Sequence, residues 1–585
     1  MVNSFSGKVS LDTKKWEILS PNPVRIKQIA NKYNLNSLVA KILVARGITE
    51  PKSIENLLNP RLSDVYDPYI LKDMDIAAER IAYALKNREK IIIYGDYDVD
   101  GVTATALLIR FFKFAGHNAD YYIPHRVNEG YGLSKEAIER FGDKKYSLMV
   151  TVDNGISSLS EVDYAHSLGI DVIVTDHHVA GDEIPSSLAV VNPTRKDCPY
   201  PFEGLSGVGV AFKLAQAVAR KIELDTEEAE SFLMKQLDLV ALGTIADIVP
   251  LLDENRVFVR YGLEYMEETH NVGLRALMEV AGVGKRSLRV NDVAFYLAPR
   301  LNAAGRTDHA SICVELLLLE DPIRAGEIAR YLNKLNNERR KLENGILVES
   351  LEYIRQSIDL ESNKLIVVEG EGWHNGVLGI VASKLLDRYY RPSIVLGLEK
   401  DMARGSARSI VGYNIHEALT ACEEHLLSYG GHTQAAGLEV KRDSLDAFKE
   451  AIGNHARATL SESDMIPRIQ IDAVVEADDL TFENVKSLDA LNPFGASNAL
   501  PIFALRKVFL LEEPRIVGRN HLKLVLCHNG LDFDAIGFSM GDYLDHIDWT
   551  RTLDVAFHPS INTYRGNVSV QLELKDIIEH YEIET

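Results

Sequence analysis

Cysteine is scarce. The 585 residues hold four, Cys198, Cys313, Cys422 and Cys527, none of them in a Cys-x-x-Cys pair. That excludes a disulfide framework and a zinc ribbon, and it fits a reducing compartment. Long apolar runs are missing as well. No stretch approaches the ~20 residues of a membrane span, and the opening MVNSFSGKVSLDTKKWEILS has no apolar core of a secretory signal. The expectation is a cytoplasmic protein without membrane association. Positive charge is in deficit, 64 Lys and Arg against 85 Asp and Glu, for a net charge of −21. This excludes wholesale binding of nucleic acid through a basic surface, so a nucleic-acid enzyme of this balance needs a local basic channel. The remaining composition, 46% hydrophobic and 25% charged, is that of an ordinary globular protein. The length predicts roughly three to five domains.

One stretch organises the rest: Ile91-Ile-Ile-Tyr-Gly-Asp96-Tyr-Asp98-Val-Asp100-Gly101. The β-branched run reads as a buried strand. Val-Thr-Ala-Thr-Ala-Leu-Leu-Ile after Gly101 can begin a helix with Thr103 near its start. The aspartates then occupy a strand-to-helix connection at the carboxyl end of a strand, where ligands of open α/β sheets bind. Three carboxylates so close repel one another, and hard divalent cations with oxygen ligands would offset that repulsion.

Four more candidate strands follow with helical patterns between several of them: Tyr121-Tyr-Ile-Pro, Leu148-Met-Val-Thr-Val, Asp171-Val-Ile-Val-Thr and Leu188-Ala-Val-Val-Asn-Pro. This is the pattern of a mostly parallel, doubly wound sheet. Two of the strands end as the first does, at Asp153-Asn154-Gly155 and at Asp176-His177-His178. Taken singly, the first reads as a turn and the second as packed or capping histidines. Parallel strands point the same way, so Asp98, Asp100, Asp153 and His177 could converge. Asp247 lies in the apolar helical stretch Leu239–Pro250. It is either a helix-terminal residue or a buried carboxylate that needs a partner or a metal. Gly204-Leu-Ser-Gly-Val-Gly209 has the spacing of a phosphate-loop glycine pair. Val210 stands where Lys is required, so these glycines read as close packing at the start of a helix, 210–220.

In order, Asp-Tyr-Asp-Val-Asp-Gly, Val-Asp-Asn-Gly, Thr-Asp-His-His and Ala-Leu-Gly-Thr-Ile-Ala-Asp-Ile-Val-Pro resemble the signature motifs of the DHH phosphoesterases. Within that family the set is similar to the bacterial enzymes that degrade single-stranded DNA from 5′ to 3′. The resemblance implies two divalent cations, Mn²⁺ or Mg²⁺, held by Asp98, Asp100, Asp153, His177 and Asp247. Many small relatives carry a His four residues before the first ligand Asp. Here Tyr94 fills that position, and Asp96, two residues on, is the substitute candidate. By the same resemblance Asp153 bridges the cations, and His178 contacts the scissile phosphate or orients His177. Such a pair of cations, roughly 3.5–4 Å apart, can stabilise both attacking and leaving oxygens of an in-line displacement.

Further segments carry expected substrate contacts. The Gly-rich loop after Tyr121 holds Arg126 and Tyr131, which the family pattern places on the sugar-phosphate and bases; an aromatic face accepts any base. Pro299-Arg300-Leu-Asn302-Ala-Ala-Gly-Arg306 reads as a phosphate-contacting turn or as an interdomain salt-bridge loop. Gly405-Ser406-Ala-Arg408 and Gly430-Gly-His432 through Gly437 offer many backbone donors for phosphate. Together they resemble the DHH-associated domain, which implies that Ser406, Arg408 and His432 grip the terminal nucleotide. His374 reads as a structural loop residue.

The expected fold is α/β. Two α/β lobes, a DHH domain with a parallel sheet and a DHH-associated domain, are joined by a long helix, with a C-terminal OB-like β-barrel. The parts are 1–70, a helical lead-in without chemistry; 71–260, catalytic; 261–361, a helical connector; 362–456, substrate-binding; and 465–585, the barrel. Lys523, Arg519, Arg565 and Tyr564 of the barrel either meet single-stranded DNA or are surface charge with no ligand. The implied function is metal-dependent 5′→3′ degradation of single-stranded DNA to mononucleotides in repair and recombination. The chain would act as a monomer, with a helicase and a single-strand-binding protein as suppliers of substrate. Two alternatives are a family enzyme for short oligonucleotides or cyclic dinucleotides, which would not need the barrel, and a non-catalytic replication scaffold. The scaffold predicts eroded ligands, and every ligand position here is filled.

Overall fold

In the computed structural model, residues 14–126, 129–284, 286–564 and 567–580 are described. Strand β1 (Lys15–Ile18) precedes three helices, α1 (Pro23–Tyr33), α2 (Ser37–Ala45) and α3 (Pro51–Leu58). Asn22 and Asn36 cap the first two with their side chains, and Pro23 and Pro51 open α1 and α3. The sequence of α2, SLVAKILVA, is apolar nearly all round, and Leu38, Val39, Ala40, Ile42 and Leu43 are all buried.

The first lobe is a five-stranded sheet with every neighbouring pair parallel. Its strands are β2 (Ile91–Gly95), β3 (Asp120–Tyr122), β4 (Leu148–Val152), β5 (Asp171–Thr175) and β6 (Ala189–Val191), in the order β3-β2-β4-β5-β6. The β-branched runs suit a sheet covered on both faces. The register pairs Gly95 with Val152 and Val152 with Thr175, so β2, β4 and β5 end level. Helix α4 (Val99–Phe114) begins three residues earlier than expected, with Asp98 as its cap. Helices α5 (Gly207–Lys221) and α6 (Leu237–Ala246) pack against it, and α7 (Asp253–Glu267) packs on α6.

The segment read as a phosphate-contacting turn is instead a helix, α8 (Ala298–Thr307), with Pro299 in its first turn. Proline is tolerated there because its missing N–H is an orphan in any helix. A single 36-residue helix, α9 (Pro322–Ser357), then leads to the second lobe. That lobe holds β7 (Ile366–Glu371), α10 (Asn375–Tyr389), β8 (Ser393–Leu398), β9 (Met402–Arg408), β10 (Leu426–His432) and β11 (Ala435–Lys441). The mixed sheet runs β10-β11-β9-β8-β7. His374 caps α10 by accepting the Gly376 N–H, a structural role.

After β12 (Arg468–Ile471) come the barrel strands β13 (Ala473–Val474), β14 (Phe503–Leu510), β15 (Arg515–Val517), β16 (His521–His528), β17 (Leu531–Gly537), β18 (Leu553–Tyr564) and β19 (Asn567–Glu579). They form one sheet in which β14 also pairs with β16, closing the ring. The N-terminal helices are not a separate lead-in. Ile29, Leu38, Ile42, Leu43, Ile54 and Leu57 share one core with Leu505, Leu524, Phe533, Val555 and Leu574 of the barrel. β1 pairs in parallel with β12, and Arg46 grips Asp472 with two hydrogen bonds of 2.8 and 3.0 Å.

Candidate metal centre and strand groove

The level ends of β2, β4 and β5 deliver Asp96, Asp153 and the Asp176-His177-His178 run to one edge of the sheet. Asp98 sits at the start of α4, where its Oδ1 accepts the N–H groups of Asp100 and Gly101 at 2.9 and 3.1 Å. A helix N-terminus favours the anionic forms of Asp98 and Asp100. Gly101 makes room for Asp96, since a Cβ there would come within 2.6 Å of the Asp96 nitrogen. Asp153 adopts φ 63°, unusual for a residue with a side chain and frequent at functional sites. Asp247, expected as either helix-terminal or buried, is the C-cap of α6 and still reaches the cluster.

His177 Nε2 stands 3.1 Å from Asp153 Oδ1, 3.5 Å from Asp247 Oδ2 and 3.8 Å from Asp100 Oδ2. None of these approaches has hydrogen-bond geometry: His177 Nε2, Asp153 Oδ1 and Asp96 Oδ1 are buried polar atoms without a partner. Their ligand atoms fall into sets that converge as metal ligands do. Asp96, Asp98 and Asp153 form one, Asp100, His177 and Asp247 a second, and Asp153, His177 and His178 a third that overlaps both. Asp96 therefore joins Asp98 and Asp153, and Tyr94 lies buried with its hydroxyl on the Gly132 carbonyl.

The electrostatics match this crowding. Burial and then the neighbouring carboxylates push Asp100 up to about 7 and Asp247 up to about 9, and push Asp96 and Asp153 well above the carboxylate range. Burial and then His178 push His177 down to about 4, which leaves it neutral and its Nε2 lone pair available. For His178, burial lowers the value, but hydrogen bonding and charge from Asp176 outweigh it and raise the ring to about 9. Asp176 is buried and saturated. Its Oδ1 accepts the N–H groups of His177 and His178 at 2.7 and 3.1 Å and lies 2.8 Å from His178 Nδ1, while Oδ2 accepts Ile156 N–H. Its importance was legible only as the first letter of the Asp-His-His run.

Tyr131, expected on the strand, has its hydroxyl 3.0 Å from His178 Nδ1 and 3.4 Å from the Asp153 carbonyl. Arg126 stacks over Tyr97, with 4.8 Å between guanidinium carbon and ring centroid. Arg306, at the end of α8, donates to the Gly376 carbonyl of the second lobe. Burial and then the nearby Arg126, Arg339 and Arg408 lower Arg306 to about 10. Those guanidiniums gather near the acidic edge, a local basic patch in a chain of net charge −21. Arg339, which also pairs with Glu343 at 2.8 Å, has no motif in the sequence to single it out, because it sits among the many charges of α9.

Arg300 is not part of this group. Six residues back on α8, about 9 Å along the axis, it bonds Asn333 of α9 and the Tyr296 carbonyl. Asn302 is half-buried on the same helix. In the second lobe, Ser406 and Arg408 lie on β9 and His432 on β10. Ala435 of β11 pairs with both Arg408 and His432, so strand register sets these two side by side across one strand. Arg408 donates to Ser406 Oγ at 3.0 Å. A cleft of about 600 Å³ separates the lobes, walled by Arg126 and Tyr131 on one side and Asn375, Arg404 and Tyr429 on the other. In the barrel, Lys523 is paired with Asp534 at 2.6 Å, while Arg565 and the Tyr564 side chain lie outside the described residues.

Comparison with known proteins agrees with this architecture. Residues 90–244 match the DHH family N-terminal domain, 362–458 the DHHA1 domain and 471–576 the RecJ OB domain. The chain is 39% identical over 566 residues to the single-stranded-DNA-specific exonuclease RecJ of Bacillus subtilis, covering 96% of this chain and 70% of that protein. It is 36% identical to the Escherichia coli protein of the same name, over 93% of this chain and 96% of the relative. The crystal structure of RecJ with Mn²⁺ from Thermus thermophilus superposes with a TM-score of 0.83 at 29% identity, covering 98% of this chain and 81% of that one. The chain belongs to the RecJ family of DHH proteins.

Proposed function

We propose that this chain is a metal-dependent exonuclease that degrades single-stranded DNA from the 5′ end to mononucleotides, in DNA repair and recombination. The observation that carries the reading is the convergence of Asp96, Asp98, Asp100, Asp153, His177 and Asp247 around partnerless buried atoms, beside a basic patch in an otherwise acidic chain. The orphaned Asp96 Oδ1, Asp153 Oδ1 and His177 Nε2 and the oxygen-rich donor set fit two divalent cations, Mn²⁺ or Mg²⁺. Asp96, Asp98 and Asp153 would hold one, and Asp100, His177 and Asp247 the other, with Asp153 shared. When bound, such ions supply Lewis acidity and charge for the attacking and leaving oxygens of an in-line displacement.

The protein's own groups supply the rest. His178, raised by Asp176, carries a proton on its ring at neutral pH and offers it to the scissile phosphate. Arg126 and Arg306 neutralise backbone phosphates at the cleft, and Tyr131 closes the near side around His178. Ser406, Arg408 and His432 hold the terminal phosphate, which sets the direction of degradation. Arg300 and Asn302 contact the strand farther along α8. The entrance between the two lobes is read as admitting one strand and excluding duplex. We read the protein as a cytoplasmic monomer fed by a helicase and a single-strand-binding protein; among the described residues, no helix is long and apolar enough to cross a membrane.

The test is digestion of one oligonucleotide labelled at either end, single-stranded or paired, with Mn²⁺, Mg²⁺ or EDTA. The expected result is metal-dependent release of mononucleotide from the 5′ end of single strands alone. Release from the 3′ end, or equal cutting of duplex, would overturn the polarity or the strand selection. Activity unchanged in EDTA would overturn the metal centre.

A further inference from the structure

A segment that none of the acidic motifs covers, Leu205-Ser206-Gly207-Val208, touches three of the groups at the sheet edge. The Gly207 N–H donates to Asp100 Oδ2 at 2.6 Å and the Val208 N–H to Asp100 Oδ1 at 2.8 Å. Gly207 also lies flat against Asp153. A Cβ on it would come within 2.6 Å of Asp153 Cβ and 2.7 Å of Asp153 Oδ1. The main chain of Leu205 lies close to the His177 ring. The turn itself is fixed from behind. Ser206 Oγ accepts the Gly209 N–H at 3.2 Å and meets Thr244 Oγ1 at 2.8 Å, and Thr244 lies on α6 just ahead of Asp247.

A carboxylate with both oxygens held by fixed N–H donors cannot rotate, and donors at a helix start favour its ionised form. We propose that Leu205–Val208 is a positioning strap for the metal centre: it fixes the Asp100 carboxylate and sets its spacing from Asp153. Glycine stands at 207 because the strap passes too close to Asp153 for any side chain. This inference rests on the metal centre proposed above. It assigns a role to the glycine-rich run that would otherwise be packing alone.

The test titrates Mn²⁺ into the metal-stripped full-length chain and follows the free ion by electron paramagnetic resonance. Gly207→Ala is compared with Gly209→Ala, whose Cβ would meet nothing closer than Ser206 Oγ at 3.3 Å. Loss of an outer partner of a metal ligand costs about 10- to 100-fold in affinity. Gly207→Ala is therefore expected to bind Mn²⁺ at least about tenfold more weakly, with Gly209→Ala close to wild type and the metal-free melting temperatures alike. A folded Gly207→Ala with wild-type Mn²⁺ affinity overturns the strap. Should Gly207→Ala not fold, Ser206→Ala decides: it loosens the turn without touching a ligand, so weakened Mn²⁺ binding supports the strap and unchanged binding overturns it. Absence of Mn²⁺ binding by the wild-type chain overturns both the strap and the centre it serves.

Discussion

Asp153 is shared between two sets of candidate ligands, as His177 is, and is held at φ 63° just beyond β4. Asp153→Asn keeps the shape and removes the charge. Deleting one preorganised electrostatic group at a reacting centre costs about 10²–10³-fold in rate, and a shared ligand should lie at or beyond the upper end. Single-turnover cleavage should fall by that factor while anisotropy reports unchanged binding of single strands. A parallel loss of binding would instead make Asp153 a fold determinant. Tyr131 poses a sharper question, because its hydroxyl shares His178 Nδ1 with Asp176. Tyr131→Phe removes that hydroxyl and keeps the ring. The expectation is a kcat about tenfold lower with KM unchanged. A rise in KM alone would place Tyr131 on the DNA rather than behind His178.

Elements set how much of this could be read in advance. The first-lobe strands were legible because each is a local β-branched run, and their parallel order follows from the helices between them. The acidic ends were legible because a strand's last residue sits at the sheet edge whatever surrounds it. Arg408 and His432 were found as members of glycine-rich runs, but their adjacency is a matter of register across β11, which local pattern does not specify. The start of α5 was read as packing, because a main-chain N–H that meets Asp100, more than a hundred residues earlier, leaves no trace in side-chain type.

Arg256 of α7 was invisible for a related reason. Its guanidinium is buried, pushed down to about 9 by burial and then by Arg260. It donates to the carbonyls of Leu57, Pro493 and Asn492 rather than to any carboxylate. One side chain thus ties the first lobe to α3 and to the segment leading into the barrel. Arg256→Leu leaves three carbonyls short of a donor, each costing ~1–3 kcal/mol. The chain should lose several degrees of melting temperature, and limited proteolysis should cut first between α7 and the barrel body. Cutting at wild-type rates would mean that the shared core alone holds that junction.

For the whole molecule, the arrangement of charge decides how DNA is met. An overall charge of −21 repels a polyanion, and the cluster of Arg126, Arg306, Arg339 and Arg408 gathers positive charge against that background. Four phosphate contacts to a single strand give a salt slope of about −2.8, so affinity should fall about 50-fold between 50 and 200 mM salt. Fluorescence anisotropy across that range checks it. A slope near zero would mean that stacking, not phosphate contact, carries binding.

The N-terminal helices bury their apolar faces against a barrel made from the other end of the chain. Trp16 donates to Asp576 at 2.7 Å, and Tyr543 holds the same buried carboxylate from within the barrel. On the ribosome these partners are not made together. Roughly 400 residues separate α3 from the first barrel strands, and at about 5–20 residues per second the helices wait on the order of 20–80 s for their cover. During that interval α2, apolar on nearly every side, is a natural client for a chaperone. A stop ahead of the barrel therefore leaves α1 to α3 without the strands that cover their apolar faces.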